Sequence, residues 1–327
     1  MSREDGFVER LRAVLPEDDR VLVGPGDDAA VLRVEAGTAV ATTDMLVEGV
    51  DFLAGTPPET IGRRALAVNL SDLAAMGARP ESFLLSIAFP AVKGEDFPLE
   101  VARGALSRAS CWKVSLIGGD LSDAPVVAVS VALWGRAEGS PLLRSGGRPG
   151  HDLYLSGFPG RAAAGLALAS RGRATALAAG DRRELAGAYE DPEPRVALGL
   201  ELSRRGLATA AIDVSDGLGI DAGRLARACG ARAVLEEARL PVSPSLAAAA
   251  RALGTDPLGW MLGGGDDYEL LFAARPGDAG AIEGLSSADV PVTRIGRLEA
   301  GSGAFADGPA GMRDIAASGW DHLEGRR

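Results

Sequence analysis

Ala210-Ala211-Ile212-Asp213-Val214-Ser215-Asp216-Gly217 is the stretch on which the reading of the fold turns. A short apolar run reads as a strand. It ends in an acidic turn, and Gly217 opens a helix whose N-terminus can receive an anion. The same strand-then-turn pattern occurs twice upstream. Ala39-Val40-Ala41 runs into Thr42-Thr43-Asp44, and Val114-Ser115-Leu116-Ile117 runs into Gly118-Gly119-Asp120, whose glycines let backbone amides approach a phosphate. Ligands of open α/β sheets bind outside the strand carboxyl ends, so these turns are expected to share one edge.

Outward from these turns, short β-branched runs alternate with helical segments, which predicts an α/β protein with helices layered on sheets, an α+β layered arrangement. Strands are expected at 21–23, 29–34, 39–43, 83–89 and 126–134, then at 153–156, 210–213, 233–235, 268–274 and 292–296. Pro57-Pro58-Glu59 opens a helix over 61–78, which Gly77 closes before Pro80, and a second helix is expected over 99–109. The stretch 135–150, rich in Gly, Pro, Ser and charge, marks a boundary and divides the chain into domains 1–140 and 141–327. No internal repeat is evident, and the Gly-rich 301–311 reads as a low-complexity tail.

Composition narrows the function classes. A chain of 327 residues is long enough for a good core and two domains. Its net charge of −11 argues against a nucleic-acid partner. The first residues lack the basic and apolar regions of a signal peptide, and no apolar run reaches the roughly 18 residues of a membrane span, so the cytoplasm is expected. Two cysteines exclude a disulfide framework and a cysteine-rich zinc site. Two histidines rule out a histidine-rich metal site and argue against a Ser-His-Asp triad. Neither Lys93 nor Lys113 follows a glycine-rich phosphate loop, so P-loop and protein-kinase signatures are missing.

Six acidic motifs stand beside Gly, Ser or Thr: Gly26-Asp27-Asp28, Thr42-Thr43-Asp44, Ser71-Asp72, Gly118-Gly119-Asp120, Asp213-Val214-Ser215-Asp216-Gly217 and Gly264-Gly265-Asp266-Asp267. Oxygen ligands of this kind suit magnesium, and the spacing far exceeds the about twelve residues of a calcium loop. One reading is a site assembled from distant segments around several magnesium ions and a polyphosphate. The other is that aspartate and glycine are common in loops, which covers any one motif but strains at six. The helix at 61–78 sharpens the choice. It is apolar nearly all round, hence buried, except that Asn69 and Asp72 share one narrow face at about 100° per residue. That face is either a solvated stripe or a protected place where a cation holds Asp72.

Taken in order, Gly26-Asp27-Asp28-Ala29-Ala30, Thr42 to Phe52, Asn69 to Pro80, Gly118-Gly119-Asp120, Asp213 to Leu218, and Gly264-Gly265-Asp266-Asp267-Tyr268-Glu269-Leu270 resemble the thiamine-monophosphate kinase family. The likeness continues to Gly319-Trp320-Asp321-His322 and so covers nearly the whole chain. The family belongs to a superfamily that includes aminoimidazole ribonucleotide synthetase. The resemblance implies an N-terminal domain that dimerises, a C-terminal α/β domain, and ATP held through magnesium between them. It casts Asp28, Thr42, Thr43, Asp44, Asp72, Asp120, Asp213 and Asp216 as magnesium ligands, with Asp44 and Asp120 central. Gly119, Asp120, Arg144 and Ser215 would contact the nucleotide. Asp51, Asp266 and Trp320 would contact thiamine monophosphate. Asp51 stands where the family commonly has histidine, and Asp266 where it commonly has glutamate. Trp320 has a second reading, as a C-terminal anchor in the core.

The implied chemistry needs no protein base. A phosphate monoester has a second pKa of about 6, so the acceptor oxygen is already anionic at neutral pH. The barrier is the meeting of two anions, which metal ions screen. The implied reaction is transfer of the γ-phosphoryl group of ATP to thiamine monophosphate. The alternatives are another ATP-dependent enzyme of the superfamily and a magnesium-nucleotide sensor. A selenophosphate synthetase would need a reactive residue near the N-terminus, where the first cysteine is Cys111, and a hydrogenase-maturation relative would need a C-terminal cysteine, where the chain reads Glu324-Gly325-Arg326-Arg327.

Overall fold

A computed structural model describes residues 3–25, 30–34, 36–171 and 177–320. The chain forms two compact units, Met1–Leu73 with Ala78–Ala137, and Ala74–Gly77 with Glu138–Arg327. No helix among the described residues is long and apolar enough to cross a membrane.

The first unit contains α1 (Arg3–Arg12), β1 (Val21–Val23), β2 (Val31–Leu32), β3 (Ala39–Val47), α2 (Pro58–Ala75), β4 (Ala78–Phe89), α3 (Phe97–Ser110), β5 (Ser115–Asp123) and β6 (Ala128–Ala137). Strands β1 and β2 form a small ribbon, and the others a four-stranded sheet in the order β3-β6-β4-β5. Only β4 and β5 run parallel. Alternation along β6 buries Val129, Val131 and Leu133 completely, whereas Ser130, Ala132 and Trp134 on the other face stay half-buried. Ala41, Thr43 and Met45 of β3 lie on that open face and are exposed. Helix α2 is buried almost all round, as its composition predicts, and Gly77 (φ 63°) follows its end. Against α3 the helix backbones approach closely, since a Cβ on Gly62 would lie 1.9 Å from the Val101 carbonyl oxygen and one on Gly104 2.0 Å from that of Glu59.

Several expected boundaries move. The strand expected at 29–34 is only two residues long in β2, and Ala29 lies outside the described residues. β3 runs on to Val47 and β5 to Asp123, so Thr42-Thr43-Asp44 and Gly118-Gly119-Asp120 lie inside strands, not in turns beyond them. Pro80 sits within β4, at a register shift.

The second unit contains β7 (Asp152–Ser156), α4 (Arg161–Arg171), α5 (Ala179–Glu190), α6 (Val196–Arg204), β8 (Ala210–Val214), α7 (Leu218–Cys229), β9 (Arg232–Glu236), α8 (Pro244–Leu253), α9 (Pro257–Gly263), β10 (Glu269–Ala274), α10 (Ala279–Glu283), β11 (Val292–Glu299), β12 (Gly303–Gly308) and β13 (Gly311–Asp314). Its seven strands are ordered β13-β12-β9-β11-β7-β10-β8. Every pairing is antiparallel except β12 with β9. Leu153, Leu155, Ile212, Val214, Leu271 and Ile295 from the strands share one core with Leu218, Leu225 and Leu246 from the helices. The Gly-rich stretch read as a low-complexity tail is instead the hairpin β12–β13 at the sheet edge. Glycine is common in such turns, so composition alone misreads it.

Candidate active site

In the first unit, β3 and α2 bring several singled-out residues together. Thr42 and Asp44 share the face of β3 that includes buried Val40 and Leu46. The Thr42 hydroxyl donates to an Asp72 carboxylate oxygen. One turn earlier on α2, Asn69 is fully buried, takes the Asp44 backbone N–H on Oδ1 at 3.0 Å and donates Nδ2 to the Ala65 carbonyl at 2.9 Å. The Asn69/Asp72 face therefore packs on β3 and is not a solvated stripe. Thr43 points to the other face, where its hydroxyl donates to the Val131 carbonyl at 2.9 Å. Asp51 turns back on its own loop and accepts the Val47 N–H at 2.7 Å.

Gly119 and Asp120 are not beside that cluster within the sheet. The register runs from Asp44 to Val131, from Val131 to Leu85 and from Leu85 to Gly119, so the two motifs occupy opposite edge strands. Three interstrand spacings put those edges about 14 Å apart. The expectation of a single edge of strand ends fails here because strand order is set by long-range pairing. Gly119 is required by contact, since a Cβ would lie 1.8 Å from the Leu85 carbonyl oxygen. It and the exposed Asp120 line a cavity of about 680 Å³ whose other walls include Phe7, Leu11, Leu32, Leu84 and Ile117. That size suits a small-molecule ligand. Gly26-Asp27-Asp28, including the expected ligand Asp28, lies outside the described residues, as does His322.

In the second unit, three motifs meet through backbone hydrogen bonds. Ser215 and Asp216 follow β8, and Asp213 is buried at its end. The Asp266 N–H donates to the Ser215 carbonyl at 2.7 Å, and the Trp320 N–H to the Asp216 carbonyl at 2.9 Å. Ser215, Asp216, Asp266 and Trp320 are thus held as one group. Trp320 is half-buried. Arg144 is exposed in the segment beside β8, where the neighbouring Leu143 carbonyl accepts the Ala211 N–H at 2.9 Å.

The turn that leads into α7 at Gly217 is organised by a carboxylate of the chain itself. The N–H groups of Ser215, Asp216 and Gly217 all converge on Asp221 Oδ2, at 3.2, 3.0 and 3.2 Å. Asp221 is fully buried, and burial pushes its carboxyl up to about 6. Its other oxygen takes Arg224 Nη1 at 2.7 Å, and the same guanidinium reaches Asp216. The chain's own carboxylate thus binds the three amides that precede α7. Sequence inspection missed Asp221, whose one signal is an acidic residue in the first helical turn, four positions after Gly217.

Beside this group, Asp267 accepts the Gly160 N–H at 2.7 Å at the start of α4, and burial raises its carboxyl well above the usual range. Glu269 is buried, with bidentate Arg195 contacts at 2.5 and 2.6 Å and the Ser156 hydroxyl at 2.6 Å. These contacts fix the 264–270 segment to the turn after β7. Among the described residues no three carboxylate, cysteine or histidine side chains form a ready-made metal cage. The donors at hand are oxygens alone, the Thr42–Asp72 pair in one unit and Asp213 with Asp216 in the other, which fits a hard cation such as magnesium.

Known proteins resemble this chain over most of its length. Residues 26–137 match the family "AIR synthase related protein, N-terminal domain", and 148–307 its C-terminal domain counterpart. The chain is 33% identical to the thiamine-monophosphate kinase of Pyrococcus abyssi over 300 residues, 92% of this chain and 91% of that protein. It resembles the crystal structure of thiamine-monophosphate kinase from Stenotrophomonas maltophilia K279a with a TM-score of 0.83 and 40% identity, covering 92% of this chain and 96% of the other. A structure of AaThiL complexed with AMPPCP and TMP matches at a TM-score of 0.79 and 29% identity, covering 98% and 95%.

Proposed function

Because the chain belongs to the thiamine-monophosphate kinase family, we propose that it transfers the γ-phosphoryl group of ATP to thiamine monophosphate, giving thiamine diphosphate and ADP. The phosphate oxygen of thiamine monophosphate attacks the γ-phosphorus in line, and the bond to the β,γ-bridging oxygen breaks to release ADP. The chain's own residues bind, align and screen, and none acts as acid or base.

Thr42, Asp44, Asp72 and Asp120 in the first unit, and Asp213 and Asp216 in the second, are the proposed magnesium ligands, joined by Asp28 outside the described residues. Thr43, the remaining expected ligand, lies on the opposite face of β3 from Thr42 and Asp44, with its hydroxyl donating to the Val131 carbonyl. Bound magnesium supplies positive charge that screens the phosphates of both substrates. Gly119 lets the nucleotide approach the edge of β5, and the adjoining cavity would take the base. Ser215 binds phosphate oxygens, and Arg144 adds a forked donor. Asp51, Asp266 and Trp320 receive the thiamine part, where carboxylates suit its positive charge and amine and an indole face suits its flat rings.

The open face of the four-stranded sheet, with exposed Met45, Thr43 and Ala41, would be covered by a second copy, giving a homodimer. The work would take place in the cytoplasm, where ATP is available, with no nucleic acid involved.

What most supports this reading is the joining of Asp266 to Ser215 and of Trp320 to Asp216, which holds acceptor-side and nucleotide-side residues together. The test is ADP and thiamine diphosphate formation by the purified protein with ATP, magnesium and thiamine monophosphate. Thiamine in place of the monophosphate should give almost no turnover, because its alcohol would need a base. Equal rates on the two acceptors, or ADP release that ignores both, would overturn the assignment.

A further inference from the structure

Asp266 and Tyr268 both have left-handed backbone, with φ of 68° and 50°. Aspartate enters that region with some ease, whereas a bulky residue there is an outlier. Two hydrogen bonds hold them in it: Asp266 N–H to the Ser215 carbonyl at 2.7 Å, and Tyr268 N–H to the Val214 carbonyl at 2.8 Å. The ring of Tyr268 is buried, and its phenol donates to Asp266 Oδ1 at 3.0 Å. Strained backbone persists only where its surroundings over-determine it, and it gathers at ligand sites.

We propose that Tyr268 is a positioning residue for Asp266, holding its carboxylate at the angle that receives the cationic, amine-bearing part of the acceptor substrate. This rests on the reading of Asp266 as an acceptor-binding residue. Without the phenol, Asp266 Oδ1 loses the hydrogen bond that fixes its angle, and the substrate meets a less preorganised carboxylate. Phenylalanine at 268 keeps the ring and the backbone and removes the phenol's hydrogen bond to Asp266.

Tyr268→Phe should raise the KM for thiamine monophosphate about tenfold, as the loss of one hydrogen bond to a charged group implies. It should leave kcat, the KM for ATP and the thermal midpoint unchanged. Asp266→Asn should raise the same KM by itself, and adding Tyr268→Phe to it should do nothing more, because the group being positioned is gone. If Asp266→Asn raises the KM while Tyr268→Phe does not, the positioning role is overturned and the reading of Asp266 stands. If Asp266→Asn leaves the KM unchanged, the reading of Asp266 falls and the proposal with it. A lower midpoint with both KM values raised in Tyr268→Phe would make Tyr268 a packing residue and also overturn the proposal.

Discussion

The Asp266 backbone N–H donates to the Ser215 carbonyl at 2.7 Å, tying the segment after α9 to the turn after β8. The approach depends on Gly265, where a Cβ would lie 2.7 Å from that same carbonyl oxygen. Gly265→Ala must therefore push the two segments apart, because backbone cannot swing aside as a side chain does. The expected result is a rise in the KM values for ATP and thiamine monophosphate together, with about 1–3 kcal/mol of stability lost. Initial-rate kinetics on both substrates and one thermal melt check it, and a change in only one KM would mean that the segments are not coupled.

Trp320 is attached to the same turn through its backbone, and its side chain is half-buried. Trp320→Ala should raise the KM for thiamine monophosphate about five- to thirty-fold, the equivalent of roughly 1–2 kcal/mol of stacking and cation attraction. The KM for ATP should stay nearly constant, as should the thermal midpoint. Loss of both affinities with a lower midpoint would return Trp320 to the role of anchor.

How much of this was legible in the sequence depends on the range of the interaction. The Asn69/Asp72 face could be read because helical periodicity is local, whereas its packing on β3 depends on the tertiary fold. Gly118-Gly119-Asp120 was misplaced into a turn because glycine ordinarily weakens strands, whereas at this edge the Leu85 carbonyl leaves no room for a Cβ. The separation of Asp44 from Gly119 was not legible, since it depends on strand order across the whole sheet. Asp221 was invisible for a related reason: a carboxylate collecting three amides looks in sequence like any acidic residue of a first helical turn.

Asp18 gives a pH-dependent check on the first unit. The Arg20 side chain, helped by the Ser115 hydroxyl, holds its carboxyl well below the ordinary value of 3.8. A depressed folded pKa contributes stability that is present above the unfolded pKa and is lost as pH falls through the folded one. Asp18→Asn should therefore melt below the parent at pH 7, and the gap should narrow progressively below about pH 4. Thermal midpoints of both proteins across that range decide it, and a gap that widens in acid would contradict the sign.

Asp221→Ala removes the acceptor on which the Ser215, Asp216 and Gly217 amides converge and leaves Arg224 with Asp216 alone. Losing one partner of a buried charged network costs about 3–5 kcal/mol. In a domain of this size each kcal/mol lowers the midpoint by roughly 2–4 °C, so a fall of about 6–20 °C is expected. An unchanged midpoint would mean that the turn keeps its shape without the carboxylate.

Asp72→Asn addresses the magnesium-binding role directly. Asparagine keeps the volume and can still accept the Thr42 hydroxyl, so the contact between α2 and β3 survives. What disappears is the negative charge of Asp72. The thermal midpoint should move little, whereas turnover should fall on the order of 10²–10³, as when one preorganised electrostatic group is removed. Raising magnesium should recover part of the rate, because a weakened site still fills at higher concentration. Near-normal turnover at millimolar magnesium would remove Asp72 from the metal-binding set. A large drop in midpoint would instead assign it to holding α2 against the sheet.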